Sequence, residues 1–86
     1  MILNHPAKIM KALYWAGGEM TVPQLIKDTG LKQSQVYGAI YVLEKKNYIK
    51  KRLEEEYGYR TIKRKIFVEL RNPVLAEQSL KKWGAL

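Results

Sequence analysis

Apolar residues recur at spacings of three and four along the first half of this chain, switch to alternation, and return to the helical spacing near the end. The first helical stretch runs from Pro6 to Trp15 or Ala16, with Ile9, Ala12, Leu13 and Ala16 on one face. Pro6 suits a first turn, where its missing N–H would have no partner, and Gly17-Gly18 predicts the stop. Thr21-Val22-Pro23-Gln24 has the form of a capping box and opens a second helix. That helix turns Leu25 and Ile26 inward and ends at Gly30, a natural left-handed cap. A third helix covers about Gln33 to Lys46, with Val36, Ala39, Ile40 and Leu43 as its buried stripe. Asn47 tolerates the left-handed conformation that ends it.

Beyond Asn47 the period becomes two. Ile49, Lys51 and Leu53 alternate with Lys50, Arg52 and Glu54. Ile62, Arg64, Ile66, Val68 and Leu70 alternate with Lys63, Lys65, Phe67 and Glu69. Both runs have the pattern of half-buried strands, so residues 49–70 form a hairpin whose tip falls between Glu55 and Arg60, around Tyr57-Gly58. Asn72-Pro73 is a cap followed by a first-turn proline. It opens a last helix to about Trp83, with Ala76, Leu80 and Trp83 sharing a face. The expected order is α-α-α-β-β-α, with room for a short strand before the second helix. The class is α+β, mostly α, in a single domain over residues 1–86.

Charge sharpens this picture. Sixteen Lys plus Arg against eight Asp plus Glu leave +8, a surplus that draws polyanions, nucleic acid first and anionic membrane second. Nine of the sixteen lie between Lys45 and Lys65: Lys45, Lys46, Lys50, Lys51, Arg52, Arg60, Lys63, Arg64 and Lys65. The competing use of such a run is a solvated edge that deters aggregation, but its density on one element favours phosphate contact. Glu54-Glu55-Glu56 interrupts it, so the tip either bends away from phosphate or contacts the cations of the opposite strand.

Other chemistries recede. With no cysteine, and His5 as the one histidine, disulfides, thiol catalysis and transition-metal sites have no ligands to use. No Ser–His–acid set or phosphate loop is present, so neither an enzyme, a cofactor nor a small-molecule substrate is expected. No apolar run approaches the roughly 20 residues of a membrane span, and the start MILNHPAK is too weakly apolar for an export signal. The expectation is a cytoplasmic protein.

Projection of the third helix at about 100° per residue sets Ser34, Gly38, Tyr41 and Lys45 opposite its apolar stripe. Tyr37 flanks them on one side, and Gln35 and Val42 on the other. Gln pairs bidentately with adenine and Ser serves any base. The two tyrosines suit phosphate and sugar, or else cap the core as partly buried aromatics. Gly38 weakens a helix, so it serves either a close external approach or relief of crowding against the second helix.

These residues resemble the winged-helix transcriptional regulators, MarR/ArsR-like and of archaeal or archaeal-virus type. The likeness rests on M20-T-V-P-Q-L25, the G30-L31 turn, S34-Q-V36, I40-Y-V-L43-E-K-K-N-Y-I49 and the basic hairpin after them. It implies double-stranded DNA as partner, with Gln33, Ser34, Gln35, Tyr37, Gly38, Tyr41 and Lys45 on the recognition helix. Lys51, Arg52, Arg60, Lys63, Arg64 and Lys65 then belong to the wing. Lys32 departs from the usual Ser or Thr cap, and Asn47 from the usual Gly. Members of this kind pair through their terminal helices, which makes Ile2, Leu3, Trp15, Leu75, Leu80 and Trp83 a candidate homodimer interface and residues 73–86 a dimerisation extension. The reading is a sequence-specific, dimeric transcriptional regulator. Its rivals are an architectural DNA protein without sequence preference and a winged helix that binds protein in a transcription or replication assembly.

Overall fold

The computed structural model describes residues 4–86. In chain order the elements are α1 (His5–Trp15), β1 (Glu19–Thr21), α2 (Val22–Thr29), α3 (Gln33–Lys45), β2 (Ile49–Gly58), β3 (Thr61–Leu70) and α4 (Pro73–Lys82). Most helix starts follow local signals. Asn4 Oδ1 accepts from the Ala7 N–H at 2.9 Å. Thr21 and Gln24 close a full capping box at 2.9 and 3.3 Å. Asn72 Oδ1 accepts from Val74 and Leu75 at 3.1 and 3.2 Å. Gly30 at φ 70° ends α2, and Asn47 at φ 64° follows α3. The start of α3 is the exception. Lys32 has no side-chain acceptor, so only the reverse half of a box forms, with its N–H donating to Gln35 Oε1 at 3.0 Å.

The three strands form one antiparallel sheet in the order β1-β3-β2. Met20 lies opposite Val68, which in turn lies opposite Lys51, and Ile49 faces Leu70. One core cluster joins the sheet to the helices: Ile9, Met10 and Leu13 of α1, Leu25 of α2, Val36, Ile40 and Leu43 of α3, and Ile49 and Val68 of the sheet are all closed to solvent.

The last helix joins this core. Ala76, Ser79 and Leu80 are buried, Leu80 completely, and α4 packs on α1. Leu80 therefore has no surface to give a second copy, which corrects its place among the interface residues. Trp83 is half-buried, edge-on to Tyr48 with ring centroids 5.8 Å apart. Its periodicity marked an apolar face correctly, but α1 covers that face. Ile2 and Leu3 lie outside the described residues.

The hairpin also departs from expectation. Residues 49–70 pair throughout, but the chain reverses at Tyr59-Arg60, at the far limit of the expected window. Only its root is half-buried. Ile49, Val68 and Leu70 are covered, whereas Leu53, Tyr57, Ile62 and Ile66 on the same face are exposed. The reason is that the helices pack only over the root of the sheet, where Ile49, Val68 and Leu70 join the core. Nothing covers this face of the outer hairpin, which also lacks a third strand beyond Phe67. It projects as a two-stranded arm, and the molecule measures 48 Å along its long axis against 25 and 21 Å across.

Candidate nucleic-acid interface

The outward face of α3 is open. Gln33, Ser34, Gly38 and Lys45 are exposed, as are Tyr37 at 42% and Tyr41 at 61%. The two tyrosines thus stand in solvent and do not close the core. Lys45 Nζ sits 5.4 Å from the centre of the Tyr41 ring, a cation–π contact that orients both side chains. Gln35 is a different case: it is half-buried and its carboxamide oxygen caps Lys32, so it is held at the helix start. A Cβ on Gly38 would meet no atom within 4 Å. Crowding against α2 is therefore excluded as the reason for glycine there.

The arm has two distinct faces, set by its register. One continues outward from the core through the cross-strand pairs Leu53–Ile66, Glu55–Arg64 and Tyr57–Ile62. The other carries Arg52 opposite Phe67, Glu54 opposite Lys65 and Glu56 opposite Lys63. The acidic run is used within this pattern. Glu55 is ion-paired with Arg64 Nε at 3.4 Å and accepts from the Tyr57 hydroxyl at 2.6 Å, a hydrogen bond that holds the Tyr57 pKa above its ordinary value. Of the three acids, Glu55 meets a cation of the opposite strand, Glu54 meets Arg52 of its own strand, and Glu56 has no ion-pair partner among the described residues.

This sorts the basic residues. Lys50 pairs with Glu69 at 3.5 Å, Lys51 with Glu44 of α3 at 3.5 Å, and Arg64 with Glu55. Arg52 is bonded to Glu19, Glu54 and Glu69 at once. The hydrogen bond to Glu69, then those to Glu19 and Glu54, raise the Arg52 pKa, and the same contact lowers that of Glu69. Among the described residues, Lys45, Lys46, Arg60, Lys63 and Lys65 have no carboxylate within ion-pair distance. They are the cations of the run most open to a phosphate.

Helix and arm border one groove of about 480 Å³. Gln33 and Tyr37 of α3 line it on one side, and Arg64, Lys65 and Ile66 of β3 on the other, with Val22, Pro23 and Ile26 of α2 between them. The polar face of α3 and the basic strand are thus neighbours. At the tip, Arg60 adopts φ 62°, a left-handed conformation unusual for its residue type, and its guanidinium lies 5.3 Å from the Tyr59 ring. Tyr59 is 88% exposed and was not among the sequence candidates. Its signal was available in the tyrosine-rich run Tyr57-Gly58-Tyr59-Arg60, read there only as a turn.

No protein-family model and no curated sequence matches the chain, so its likeness to known proteins is one of shape. It superposes with a TM-score of 0.69 on a solved structure of Bordetella bronchiseptica BpsR, reported for the regulation of that protein's DNA binding by 6-hydroxynicotinic acid. The match has 17% identity and covers 96% of this chain and 59% of that one, so this chain spans about three fifths of the length of BpsR as solved. Together with the basic hairpin and the C-terminal helix, the superposition shows a winged-helix fold. Among the described residues no helix is long and apolar enough to cross a membrane, and no three His, Cys, Asp or Glu side chains are grouped to hold a metal ion.

Proposed function

We propose that the protein is a sequence-specific double-stranded DNA-binding regulator that acts as a homodimer. In this reading α3 enters the major groove and the β2–β3 arm is the wing along the neighbouring phosphates. The observation that carries it is the shared groove: Gln33 and Tyr37 face the same space as Arg64 and Lys65. Gln33 and Ser34, in the first turn of α3, are the candidates for base contact, and Tyr37, Tyr41 and Lys45 for the flanking backbone. Lys63 and Lys65 serve the wing, with Arg60 at its tip directed to a minor groove. Trp15 is exposed at the end of α1, and Val74 and Leu75 are exposed at the start of α4. They are the apolar surface proposed for pairing.

A second reading, an architectural protein without sequence preference, draws on Gln35, whose use as a helix cap leaves few free base readers. Selection of bound duplexes from a random pool, followed by footprinting, separates the two. The regulator yields an enriched two-fold symmetric motif, and the architectural protein yields none. Charge reversal of Lys63 and Lys65 together is expected to weaken binding to every duplex by roughly tenfold or more at low salt. Unchanged affinity in that variant would remove the arm from the interface.

A further inference from the structure

Arg52 stands at the root of the arm, on the sheet face away from the core. Its Nε donates to Glu69 Oε1 of β3 at 2.8 Å, and its terminal nitrogens donate to Glu19 of β1 and Glu54 of β2. The guanidinium lies 4.6 Å from the centre of the Phe67 ring. One side chain therefore ties all three strands together. Its place in the register is informative: Arg52 faces Phe67, and Phe67 faces Thr21, the last residue of β1. This is the outermost row with three strands. Beyond it runs only a two-stranded ribbon, which twists easily and is marginally stable by itself.

The charge count points the same way. Arg52 and Lys50 supply two positive charges against the three carboxylates of Glu19, Glu54 and Glu69 that they contact. The cluster is net negative by one, so it offers a phosphate no attraction. We infer that Arg52 is a positioning residue that fixes the direction of the arm relative to α3, and is not a DNA contact. Its carboxylate partners share that role, although each carries the wrong charge for a DNA-binding surface. The effect of this lock on DNA affinity rests on the proposed function; its effect on the arm does not.

Two experiments separate these parts. The chain has no cysteine, so Thr61→Cys at the arm's end and Gln78→Cys on α4 can carry a unique pair of spin labels. In the free protein the distance distribution is expected to be narrow, and to broaden in Arg52→Gln and in Arg52→Lys, whose single ammonium lacks the fork that reaches three acceptors. A distribution unchanged in both variants overturns the inference.

The second experiment measures duplex affinity in Glu69→Gln. Removing a carboxylate raises the net charge, so electrostatics alone would tighten binding. A positioning role instead weakens it by about tenfold, as several phosphate contacts loosen together. The double variant Arg52→Gln/Glu69→Gln is then no weaker than Arg52→Gln alone. Tighter binding by Glu69→Gln, with a salt slope reduced by about one in Arg52→Gln, would mark Arg52 as a direct phosphate contact and overturn the inference. If the wild type binds no duplex, the DNA reading fails alone, and the label distances still decide the role of Arg52.

Discussion

Gly38 makes α3 less stable by up to about 1 kcal/mol relative to alanine, and no packing within the chain requires it. Gly38→Ala is therefore expected to raise the unfolding free energy by about that amount while weakening DNA binding, because the new methyl projects where a duplex would lie. Thermal melts and binding isotherms on the same samples check both signs. A variant more stable and equally tight would mean that nothing approaches α3 there. Arg60 presents the same opposition at the arm tip. Its φ of 62° costs an L-residue about 1 kcal/mol, so Arg60→Gly should stabilise the hairpin and weaken binding to all sequences alike. Leu80 has no such duality. It is fully buried, and Leu80→Ala should cost about 2–5 kcal/mol through lost burial and a cavity, read in urea unfolding.

The elements differ in how much of them the sequence disclosed. Helix limits were legible because their causes are local: Thr21 with Gln24, Gly30, Asn47 and Asn72 each act within a few residues. The outward face of α3 was legible for the same reason, since a rotation of about 100° per residue sets which side chains oppose Val36, Ile40 and Leu43. The arm was only half legible. Alternation says that Leu53, Ile62 and Ile66 share a face, but not whether anything lies over it. The partners of Arg52 were out of reach, because Glu19 and Glu69 come from other strands. Gln35 shows a subtler limit, since one carboxamide suits both base reading and capping. The root of the arm also gives a pH expectation. Contact with Arg52 lowers the Glu69 pKa below its ordinary 4.5, so ionisation favours the folded state. That stabilisation is complete above the unfolded value and is lost as the pH falls through the lower folded one. Glu69→Gln should flatten this part of the acid limb in a series of urea titrations.

For the whole molecule, the winged-helix shape puts a polar helix face and a basic ribbon beside one groove, and leaves Trp15 and Leu75 exposed elsewhere. If these side chains pair two copies, Trp15→Glu with Leu75→Glu should give a folded monomer in sedimentation, since both are exposed in the single chain. Unaltered association would place the interface on another surface. The central claim is that α3 and the arm touch the same duplex. With no native cysteine in the chain, a DNA-cleaving chelate can be tethered singly at Ser34→Cys or at Thr61→Cys and used on a selected duplex. The expected result is cleavage from both positions on one site, with the two sets of cuts in neighbouring grooves about half a helical turn apart. Cutting from Ser34→Cys alone, or from neither position, would contradict it.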